Sequence, residues 1–487
     1  MYQQTILGTA STANTLVVIP TGLGKTMIAI ALAGLLHQNG KILIMAPTKP
    51  LCEQHKKSFE PFFSGEEKDL TLITGLISPE ERKALWTKSK IIFATPQTVE
   101  NDVLRRYLNL DDYSLLVFDE AHRATGDYSY CWLAKQFNKR ILALTASPAT
   151  EKDKLDELRR TLKIEKVEVR TTDDTDVVDY VQEKEILRID IDLPEDLIET
   201  IKALENVLKK RLLLLKEKKI IETSDPSKFG KLKLLELQKT LANQSNPNSD
   251  TYFGMSLAAE CLKIQHALLL LQTQGVSPLI EFFKKMEKQA HTTKAAQRLI
   301  NDPSFKRAML LAYDFWGSQG EHPKFNALRE LVRKHKGKKM IIFTQYRSTV
   351  SRIKELVGDI PDIFPREFIG QAKGMSQKEQ VAAVQKFREG KYNVLICSSV
   401  GEEGIDIPAV PVGIFFEPVP SALRMIQRRG RAGRTDISTI YVLVAKGTID
   451  EKYFHVARHK EARMNQMLND LKEEVSFQKS LDDFGKS

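Results

Sequence analysis

The sequence has few cysteines, and none of them falls in a pattern that would form a disulfide framework. Four occur in 487 residues, at Cys52, Cys131, Cys261 and Cys397, and no two of them make a C-x-x-C pair. This spacing excludes a small disulfide-rich secreted domain and predicts four reduced thiols buried as small apolar side chains. The nine histidines do not cluster with these cysteines, so a zinc site is not indicated.

Long apolar runs and targeting signals are also missing. No uninterrupted apolar stretch approaches the roughly 20 residues that a membrane-spanning helix needs, and no signal-peptide pattern opens the chain. We therefore predict an intracellular, cytoplasmic protein without a membrane part. At roughly 100 to 200 residues per domain, the length predicts three domains.

What the sequence does have is an excess of positive charge. The formal net charge is +10 and the isoelectric point is about 9.1. This balance favours a polyanionic partner such as nucleic acid, although a membrane surface could exploit the same charge.

A glycine-rich loop follows the apolar residues 16–19. It reads Pro20-Thr21-Gly22-Leu23-Gly24-Lys25-Thr26. Glycines let such a loop close around phosphate oxygens, so we predict an ATP site in which Thr21, Gly22 and Gly24 line the phosphates. Lys25 would reach the β and γ phosphates, and Thr26 would bind Mg²⁺. The full pattern has a glycine where this chain has Ile19, which leaves an ordinary strand-to-helix turn open for the loop alone.

A second apolar run, residues 115–118, ends in two carboxylates. The chain continues as Asp119-Glu120-Ala121-His122. Ligands bind at the carboxyl ends of strands in open α/β sheets, so Asp119 is predicted to hold Mg²⁺. Glu120 is predicted to orient and deprotonate the attacking water. A solvated turn before a helix is the alternative for this tetrapeptide alone.

A third segment is rich in arginine. It reads Gln427-Arg428-Arg429-Gly430-Arg431-Ala432-Gly433-Arg434. Its glycines argue against a plain helix face, because each costs about 1 kcal/mol in a helix relative to alanine. We predict that Gln427, Arg431 and Arg434 are catalytic and that the two arginines stabilise charge on the transferring phosphoryl group. A solvated basic face or a nucleic-acid patch is the alternative.

Hydrophobic periodicity divides the chain into three parts. Strand-like runs alternate with helical stretches at both ends, which predicts two parallel sheets covered on both faces. The predicted strands are residues 16–19, 42–46, 91–94, 115–119 and 141–145 in the first part and 339–344, 394–398, 412–416 and 439–444 in the last. From about residue 196 to 322 the apolar residues recur at helical spacing instead, which predicts an all-helical insertion.

The first half of the helical insertion is basic. Its lysines and arginines outnumber the nearby acids, and Lys209, Lys210 and Arg211 are adjacent. Such a charge run is compatible with a solvated helix face as well as with a nucleic-acid site.

Taken together, these motifs resemble superfamily 2 helicases. Residues 21–26, 119–122, 145–147 and 427–434 are similar to motifs I, II, III and VI, in the right order. Residues 46–51, 94–98, 121–124, 368–371 and 400–408 are similar to archaeal Hef and its eukaryotic relative, the Fanconi anaemia group M translocase. The resemblance covers nearly the whole chain.

The resemblance implies a fold and further site residues. It implies two RecA-like domains with a thumb-like helical domain between them, at residues 1–180, 196–322 and 323–487, and a linker at 181–195. It implies that Gln3 reads adenine and that Gly404 and Asp406 couple the nucleotide to the nucleic acid. Positions that grip the nucleic-acid backbone correspond to Lys49, Gly75, Thr95, Gln371 and Ser398.

Three positions depart from the family pattern. Met1 stands where an arginine normally precedes the adenine-reading motif. Ala149 and Ala432 replace a common glycine and a common threonine, and neither is expected to touch the chemistry. Full-length Hef continues into a nuclease module, and nothing after Lys472 resembles one, so DNA cutting is not predicted.

The resulting prediction is an ATP- and Mg²⁺-dependent DNA helicase or translocase that acts on forked or branched DNA. The same branch of the superfamily includes ATPases stimulated by double-stranded RNA, which remain the alternative. A non-catalytic nucleic-acid clamp is disfavoured, because the lysine, carboxylates and arginines of an ATPase are all present.

Overall fold

The structure is a computed structural model. It describes residues 2–20, 22–63, 70–146, 152–171, 174–178, 184–244, 247–318, 320–369, 374–398, 410–418 and 438–484.

The first domain is built on a seven-stranded sheet. The strands are β1 (Thr15–Val18), β2 (Lys41–Met45), β3 (Leu70–Ile73), β4 (Ile91–Ala94), β5 (Tyr113–Phe118), β6 (Arg140–Thr145) and β7 (Lys166–Val169). The helices are α1 (Tyr2–Thr12), α2 (Lys25–Leu36), α3 (Lys49–Phe59), α4 (Pro79–Lys88), α5 (Pro96–Leu104), α6 (Ser129–Gln136) and α7 (Lys152–Thr161). The strand order is β3-β4-β2-β5-β6-β1-β7, and every described pair is parallel.

Alternate side chains of these strands enter two different apolar cores. Leu16 and Val18 of β1 belong to one core, and Val17 belongs to the other. The sheet is therefore covered on both faces, which is why its strands read as continuous apolar runs. All of its strands end at the same edge, where ligand sites form in such sheets.

The segment predicted as a linker contains a strand, and this corrects the prediction. β8 (Lys184–Ile191) pairs in parallel with a strand near the end of the chain, with Leu187 beside Tyr441. Charged and apolar residues are mixed in this strand because it lies at the edge of the second sheet. The chain therefore enters the second domain before it begins the helical one.

Within its described residues, the helical domain contains six α-helices. They are α8 (Glu195–Glu217), α9 (Lys231–Ala242), α10 (Ser249–Thr273), α11 (Val276–Gln289), α12 (Lys294–Asn301) and α13 (Pro303–Gly317). Leu204 and Leu212 of α8, Ile264 of α10 and Phe283 of α11 are fully buried in one shared core. The leucine spacing in the sequence is the origin of this core, because residues three or four apart share a helix face.

Helix α10 has a length and composition that would allow it to cross a membrane, unlike any other helix in the described ranges. More than half of its apolar window, 56%, is buried inside the protein. Core helices pass the same test, so α10 is weak evidence for a membrane span.

The second parallel-sheet domain completes the architecture. Besides β8, its strands are β9 (Met340–Thr344), β10 (Pro365–Phe368), β11 (Val394–Ser398), β12 (Val412–Phe415) and β13 (Ser438–Ala445). Its helices are α14 (Lys324–Lys334), α15 (Arg347–Gly358), α16 (Gln377–Arg388) and α17 (Ile449–Phe484). The order is β10-β11-β9-β12-β13-β8, again all parallel. The predicted fold class, two parallel-sheet domains around a helical domain, is confirmed.

Buried polar contacts join the end of α10 to the second sheet domain. Lys324 and Asp450, both fully buried, form an ion pair between the starts of α14 and α17. The Lys324 ammonium also donates to the Thr273 carbonyl, 3.3 Å away. Thr349 of α15 donates to the Gln274 side chain at 2.6 Å. The helical domain is therefore joined to the second domain by buried hydrogen bonds from Lys324 and Thr349, and Asp450 neutralises the Lys324 charge within the second domain.

A buried histidine lies in the same interface. Nε2 of His322 is 3.1 Å from the Gln272 carbonyl, and Nδ1 accepts from the Lys324 amide at 3.2 Å. Burial lowers the pKa of His322 to about 3, and the Lys324 charge adds to this effect. Both ring nitrogens are thus used by the uncharged imidazole.

The long helix α17 returns from the second domain to the first. It starts after β13, and Leu468 and Leu471, just past its middle, are buried in the first domain's core. An ion pair between Lys472 and Asp174 lies beside them.

Candidate active site

The glycine loop has a backbone that only glycine adopts readily. Gly22 and Gly24 have φ angles of +92° and +77°. Gly24 precedes the first turn of α2, and a Cβ there would stand 2.3 Å from Nε2 of Gln3. Both glycines are thus required by the turn that aims the amino end of α2 at a ligand. Thr21 lies outside the described residues.

Lys25 is the first residue of α2 and reaches back over the loop. Its ammonium donates to the carbonyls of Ile19, at 3.0 Å, and Pro20, at 3.4 Å. The lysine therefore lies at the carboxyl end of β1. Thr26, the next residue, is half-buried on the first turn of α2.

Helix α1 packs against the same loop. Tyr2 donates to the Leu23 carbonyl at 2.7 Å, and the amide of Gln3 donates to that carbonyl at 3.4 Å. The glutamine predicted to read adenine is thus next to the phosphate loop. Its role toward a base stays a prediction.

Asp119 is buried where β5 ends. Its amide donates to the Met45 carbonyl at 2.9 Å, and its own carbonyl accepts from the Tyr130 hydroxyl at 2.8 Å. Its Oδ2 lies 2.8 Å from Nε2 of His55. Burial raises the pKa of Asp119, but His55, Lys25 and a hydrogen bond from the following amide hold it below the ordinary value. The carboxylate is therefore ionised and feels the charge of the loop lysine.

Glu120 occupies a strained position. Its φ is +51°, in the left-handed region, where a residue other than glycine costs on the order of 1–3 kcal/mol. Its carboxylate is 3.4 Å from Nδ1 of His122, and that nitrogen is 3.1 Å from the hydroxyl of Thr145. The loop after β5 is thereby connected to the end of β6, so the second and third motifs touch.

These oxygen donors fit a magnesium ion. Mg²⁺ is commonly bound through one or two carboxylates, waters and substrate phosphates, and does not need a cage of protein ligands. The Asp119 carboxylate and the Thr26 hydroxyl are donors of that kind. Within the described residues, no group of three or more histidine, cysteine, aspartate or glutamate side chains could hold a metal by itself.

Three of the predicted nucleic-acid contacts lie along one edge of the first sheet. Lys49 opens α3 after β2, and Thr95 caps α5 after β4, the neighbouring strand. The Thr95 hydroxyl is 2.8 Å from the Thr98 hydroxyl. Thr98 in turn faces Gly75, which lies in the loop after β3. Helix amino ends attract phosphate, so this edge can hold a nucleic-acid backbone.

A buried ion pair that the sequence did not indicate holds two of these loops together. Arg82 makes two 2.7 Å bonds to Asp102, which also accepts from Trp86 at 2.9 Å. The same guanidinium donates to the Ile77 carbonyl at 2.6 Å. Helix α4, helix α5 and the loop that contains Gly75 are therefore fixed to one another. Charged residues 20 positions apart give no pattern that sequence inspection could detect.

The contribution of the second domain is only partly described. Ser398 ends β11, is buried, and its hydroxyl has no hydrogen-bond partner among the described residues. The other predicted site residues of this domain lie outside the part of the chain that the structure describes: Gln371, Gly404, Asp406, Gln427, Arg431 and Arg434.

The basic cluster of α8 is divided by the structure. Lys209 and Lys210 line a groove of about 520 Å³ between α8 and α13, where Lys210 donates to Ser304 at 2.8 Å. Arg211 points inward and is bound by Glu260 at 2.6 Å and Asp302 at 2.9 Å. Successive helical residues point about 100° apart, so adjacent basic residues need not share a face. The predicted nucleic-acid role of Arg211 is therefore corrected to a structural one.

The four cysteines are buried and unbonded, as predicted. Burial raises the pKa of Cys52 to about 12, which leaves an unreactive thiol.

Three family profiles match the chain in the order of its domains. The family described as "Type III restriction enzyme, res subunit" matches residues 2–150. "Putative ATP-dependent RNA helicase, helical bundle" matches residues 196–315, and "Helicase conserved C-terminal domain" matches residues 323–436.

A solved structure is similar over nearly the whole chain. It is the helicase domain of Hef from Pyrococcus furiosus, with a TM-score of 0.71 and 39% sequence identity. The match covers 94% of this chain and 97% of that one.

Two curated relatives are longer than this chain. A protein named "Putative ATP-dependent RNA helicase MJ1505", from Methanocaldococcus jannaschii, is 42% identical over 483 residues, which are 97% of this chain and 61% of the relative. The "ATP-dependent DNA helicase mph1" of Neurospora crassa is 32% identical over 499 residues, 96% of this chain and 42% of the relative. The chain thus spans about two fifths to three fifths of their lengths.

Proposed function

The chain belongs to the superfamily 2 helicase family of the Hef helicase domain, and on that premise we propose that it is an ATP-dependent DNA helicase or translocase acting on forked or branched DNA. One observation carries the proposal. The phosphate loop, the Asp119 carboxylate and the helix ends at Lys49 and Thr95 share one edge of the first sheet. ATP and a nucleic-acid backbone would then bind to neighbouring loops of one rigid sheet.

The proposed nucleotide site uses residues of both sheet domains. Gly22, Gly24 and Lys25, with Thr21, bind the phosphates, and Gln3 contacts the base. Glu120 orients and deprotonates the attacking water. Asp119 and Thr26 would hold Mg²⁺, which would neutralise charge on the phosphate oxygens. From the second sheet domain, the proposed catalytic residues are Gln427, Arg431 and Arg434, and the two arginines stabilise charge on the transferring phosphoryl group.

The proposed nucleic-acid path also crosses both sheet domains. The residues that hold the backbone are Lys49, Gly75, Thr95, Gln371 and Ser398, and Gly404 and Asp406 connect that path to the nucleotide. Contacts to one backbone cannot by themselves distinguish a fork from a linear duplex. We assign that preference to the groove of Lys209 and Lys210 on the helical domain. A protein with this substrate works inside the cell, at the nucleoid.

An RNA-stimulated ATPase is the second candidate, and it is favoured by the Methanocaldococcus relative, which is named an RNA helicase. The proposal that DNA is the substrate is supported by the Neurospora relative, which is named a DNA helicase. It is also supported by the Hef helicase domain, which this chain matches almost end to end.

ATP hydrolysis with different nucleic acids tests the proposal. Rates would be measured without nucleic acid and with single-stranded DNA, linear duplex, forked DNA and double-stranded RNA at one salt concentration. We expect the highest rate with forked DNA. Lys25→Ala serves as the blank, because it removes the phosphate contact, and Glu120→Gln should bind ATP without hydrolysing it. Stimulation by double-stranded RNA alone would favour the second candidate, and equal rates in all five reactions would refute both.

A further inference from the structure

Helix α3 buries a histidine against the carboxylate of Asp119. His55 is 6% exposed, and its Nε2 stands 2.8 Å from Oδ2 of Asp119. The two residues are 64 positions apart, so this contact connects α3 with the loop after β5. No sequence motif of the proposed function includes His55.

The other ring nitrogen of His55 is unpaired within the part of the chain that the structure describes. Nδ1 is buried and has no hydrogen-bond partner among the described residues. A buried polar atom without a partner costs about 1–3 kcal/mol, so an apolar side chain would pack here more favourably. The one hydrogen bond that the ring makes, to Asp119, is therefore the reason for a histidine at this position.

That hydrogen bond completes the orientation of Asp119. The main chain on either side of its α-carbon is already fixed, by the Met45 carbonyl and the Tyr130 hydroxyl. Only the side-chain torsions remain, and His55 restrains them through Oδ2. Groups that fix a metal-binding carboxylate from behind are typically worth 10- to 100-fold in metal affinity.

His55 also lies on the helix that begins at the proposed nucleic-acid contact. Lys49 is the first residue of α3, and His55 is six positions further along. At 1.5 Å per residue, the two are separated by about 9 Å along a rigid helix. A displacement of the amino end of α3 would therefore move the Asp119 carboxylate through one hydrogen bond.

We propose that His55 is a positioning residue, which orients the Asp119 carboxylate toward a magnesium–nucleoside triphosphate. When nucleic acid binds at the amino end of α3, His55 transmits the resulting movement of that helix to the carboxylate. The inference rests on the proposed function, because it takes ATP and a nucleic acid as the two ligands.

Three substitutions separate the hydrogen bond from the packing. Glutamine places its amide nitrogen close to where histidine has Nε2, so His55→Gln should keep the bond to Asp119. His55→Leu fills the space without a donor, and His55→Asn is polar but too short to reach. His335→Leu is the matched control, because His335 is also buried and makes one side-chain bond, 2.9 Å to Tyr441, in the second domain.

The first measurement is metal-dependent nucleotide binding. A fluorescent, non-hydrolysable ATP analogue would be titrated at increasing Mg²⁺, and bound Mn²⁺ would be counted by electron paramagnetic resonance. We expect His55→Leu and His55→Asn to need about 10- to 100-fold more metal for half-saturation. For His55→Gln and His335→Leu, the metal concentration at half-saturation should stay within about threefold of the parent value. If His55 had only a structural role, the glutamine variant would be expected to need more metal, as the leucine and asparagine variants do.

The second measurement is stimulation of hydrolysis by forked DNA. We expect the stimulated rate to fall more than the unstimulated rate in the leucine and asparagine variants. Parent-like metal dependence and stimulation in either of these variants, once folded, would overturn the inference. If the parent itself shows no stimulation by nucleic acid, the proposed function fails, and the metal titration still decides whether His55 orients Asp119.

Discussion

The carboxyl edge of the first sheet and the interior of the helical domain both bury charge, but they pair it differently. Asp119 is bonded by one imidazole and lies within the electrostatic reach of the loop lysine. Arg211 is held by two carboxylates, Glu260 and Asp302, at 2.6 and 2.9 Å. A buried charge saturated by its own protein is structural, whereas a carboxylate bound on one side beside a phosphate loop can still take a ligand.

The electrostatic consequences differ in the same way. Burial raises the pKa of Glu260, and Arg211 opposes this only in part. The pKa of Asp119 is lowered in spite of its burial, because His55 and Lys25 more than compensate. The sheet edge thus keeps the negative charge of Asp119 available, whereas the helical domain pairs the negative charge of Glu260 with Arg211.

Arginines proposed to act on the nucleotide, compared with an arginine held by carboxylates, give the sharpest test of this difference. Replacing Arg431 or Arg434 by alanine should lower ATP turnover by about 10³-fold or more, because a positioned arginine stabilises charge that develops only during phosphoryl transfer. Nucleotide affinity and thermal stability should change little. Steady-state hydrolysis and analogue binding would be measured on the same preparations. Unchanged turnover would assign these arginines to a nucleic-acid surface.

Arg211→Ala should do the opposite. Removing one partner from a buried ion-pair network typically costs about 3–5 kcal/mol. The Glu260 and Asp302 carboxylates lose the arginine that they share, and Arg298, 3.6 Å from Glu260, replaces it only in part. Urea unfolding would measure the loss, and ATP turnover per folded molecule should be unchanged. The double variant Arg211→Met with Glu260→Met is the control and should recover most of the stability. Weaker DNA binding at parent-like stability would restore the original nucleic-acid role of Arg211.

The interface between the helical domain and the second sheet domain should be sensitive to acid. The pKa of His322 is about 3 in the fold and near 6.5 when exposed, so the unfolded chain binds the additional proton first. Stability from this group is present above pH 6.5 and is lost as pH falls toward 3, by about 2 kcal/mol between pH 7 and 5.

Denaturation at pH 7, 6 and 5 would measure this loss. His322→Gln should flatten the dependence by that amount, since glutamine can donate to the Gln272 carbonyl and does not titrate. His291→Gln, at an exposed histidine, should leave it unchanged. If the free energy of unfolding depends on pH equally in both variants, His322 is not the cause of the acid sensitivity.

The smallest expected effect concerns the lysines that the structure leaves in the groove of α8 and α13. Lys209→Gln with Lys210→Gln should flatten the salt dependence of forked-DNA binding by about 0.9 units for each phosphate group that is no longer neutralised. The preference over linear duplex should fall with it, while hydrolysis on single-stranded DNA persists. Lys218→Gln with Lys219→Gln removes the same charge elsewhere in the domain and should retain the preference. If the preference for forked DNA falls equally in both double variants, the lysines of the groove contribute only nonspecific electrostatic attraction.

Position in the sheets decided which strands could be predicted. The interior strands of both sheets were predicted to within two residues, because both of their faces are buried and their apolar runs are continuous. The four strands that were not predicted, β3, β7, β8 and β10, are the four sheet edges. An edge strand is covered less completely, so its apolar signal is diluted by polar residues.

The site shows a similar division. Lys25, Asp119 and Glu120 are predictable because phosphate chemistry demands those residues at those spacings after a strand. His55 and the pair of Arg82 and Asp102 have no such spacing, since each bond joins elements that only the folded sheet brings together. Arg211 was misassigned because charge was visible in the sequence and the direction of the side chain was not.

The course of helix α17 restricts how the two sheet domains can move. From its start after β13, the helix runs about 33 Å to the point where Leu468 and Leu471 are buried in the first domain's core. Pulling the domains straight apart would expose those leucines to water, at about 1.5–3 kcal/mol each. A motion in which that part of α17 stays packed on the first domain keeps both leucines covered. The two domains can therefore move relative to each other at the lowest cost if α17 bends between Phe454, which is buried in the second domain's core, and Leu468.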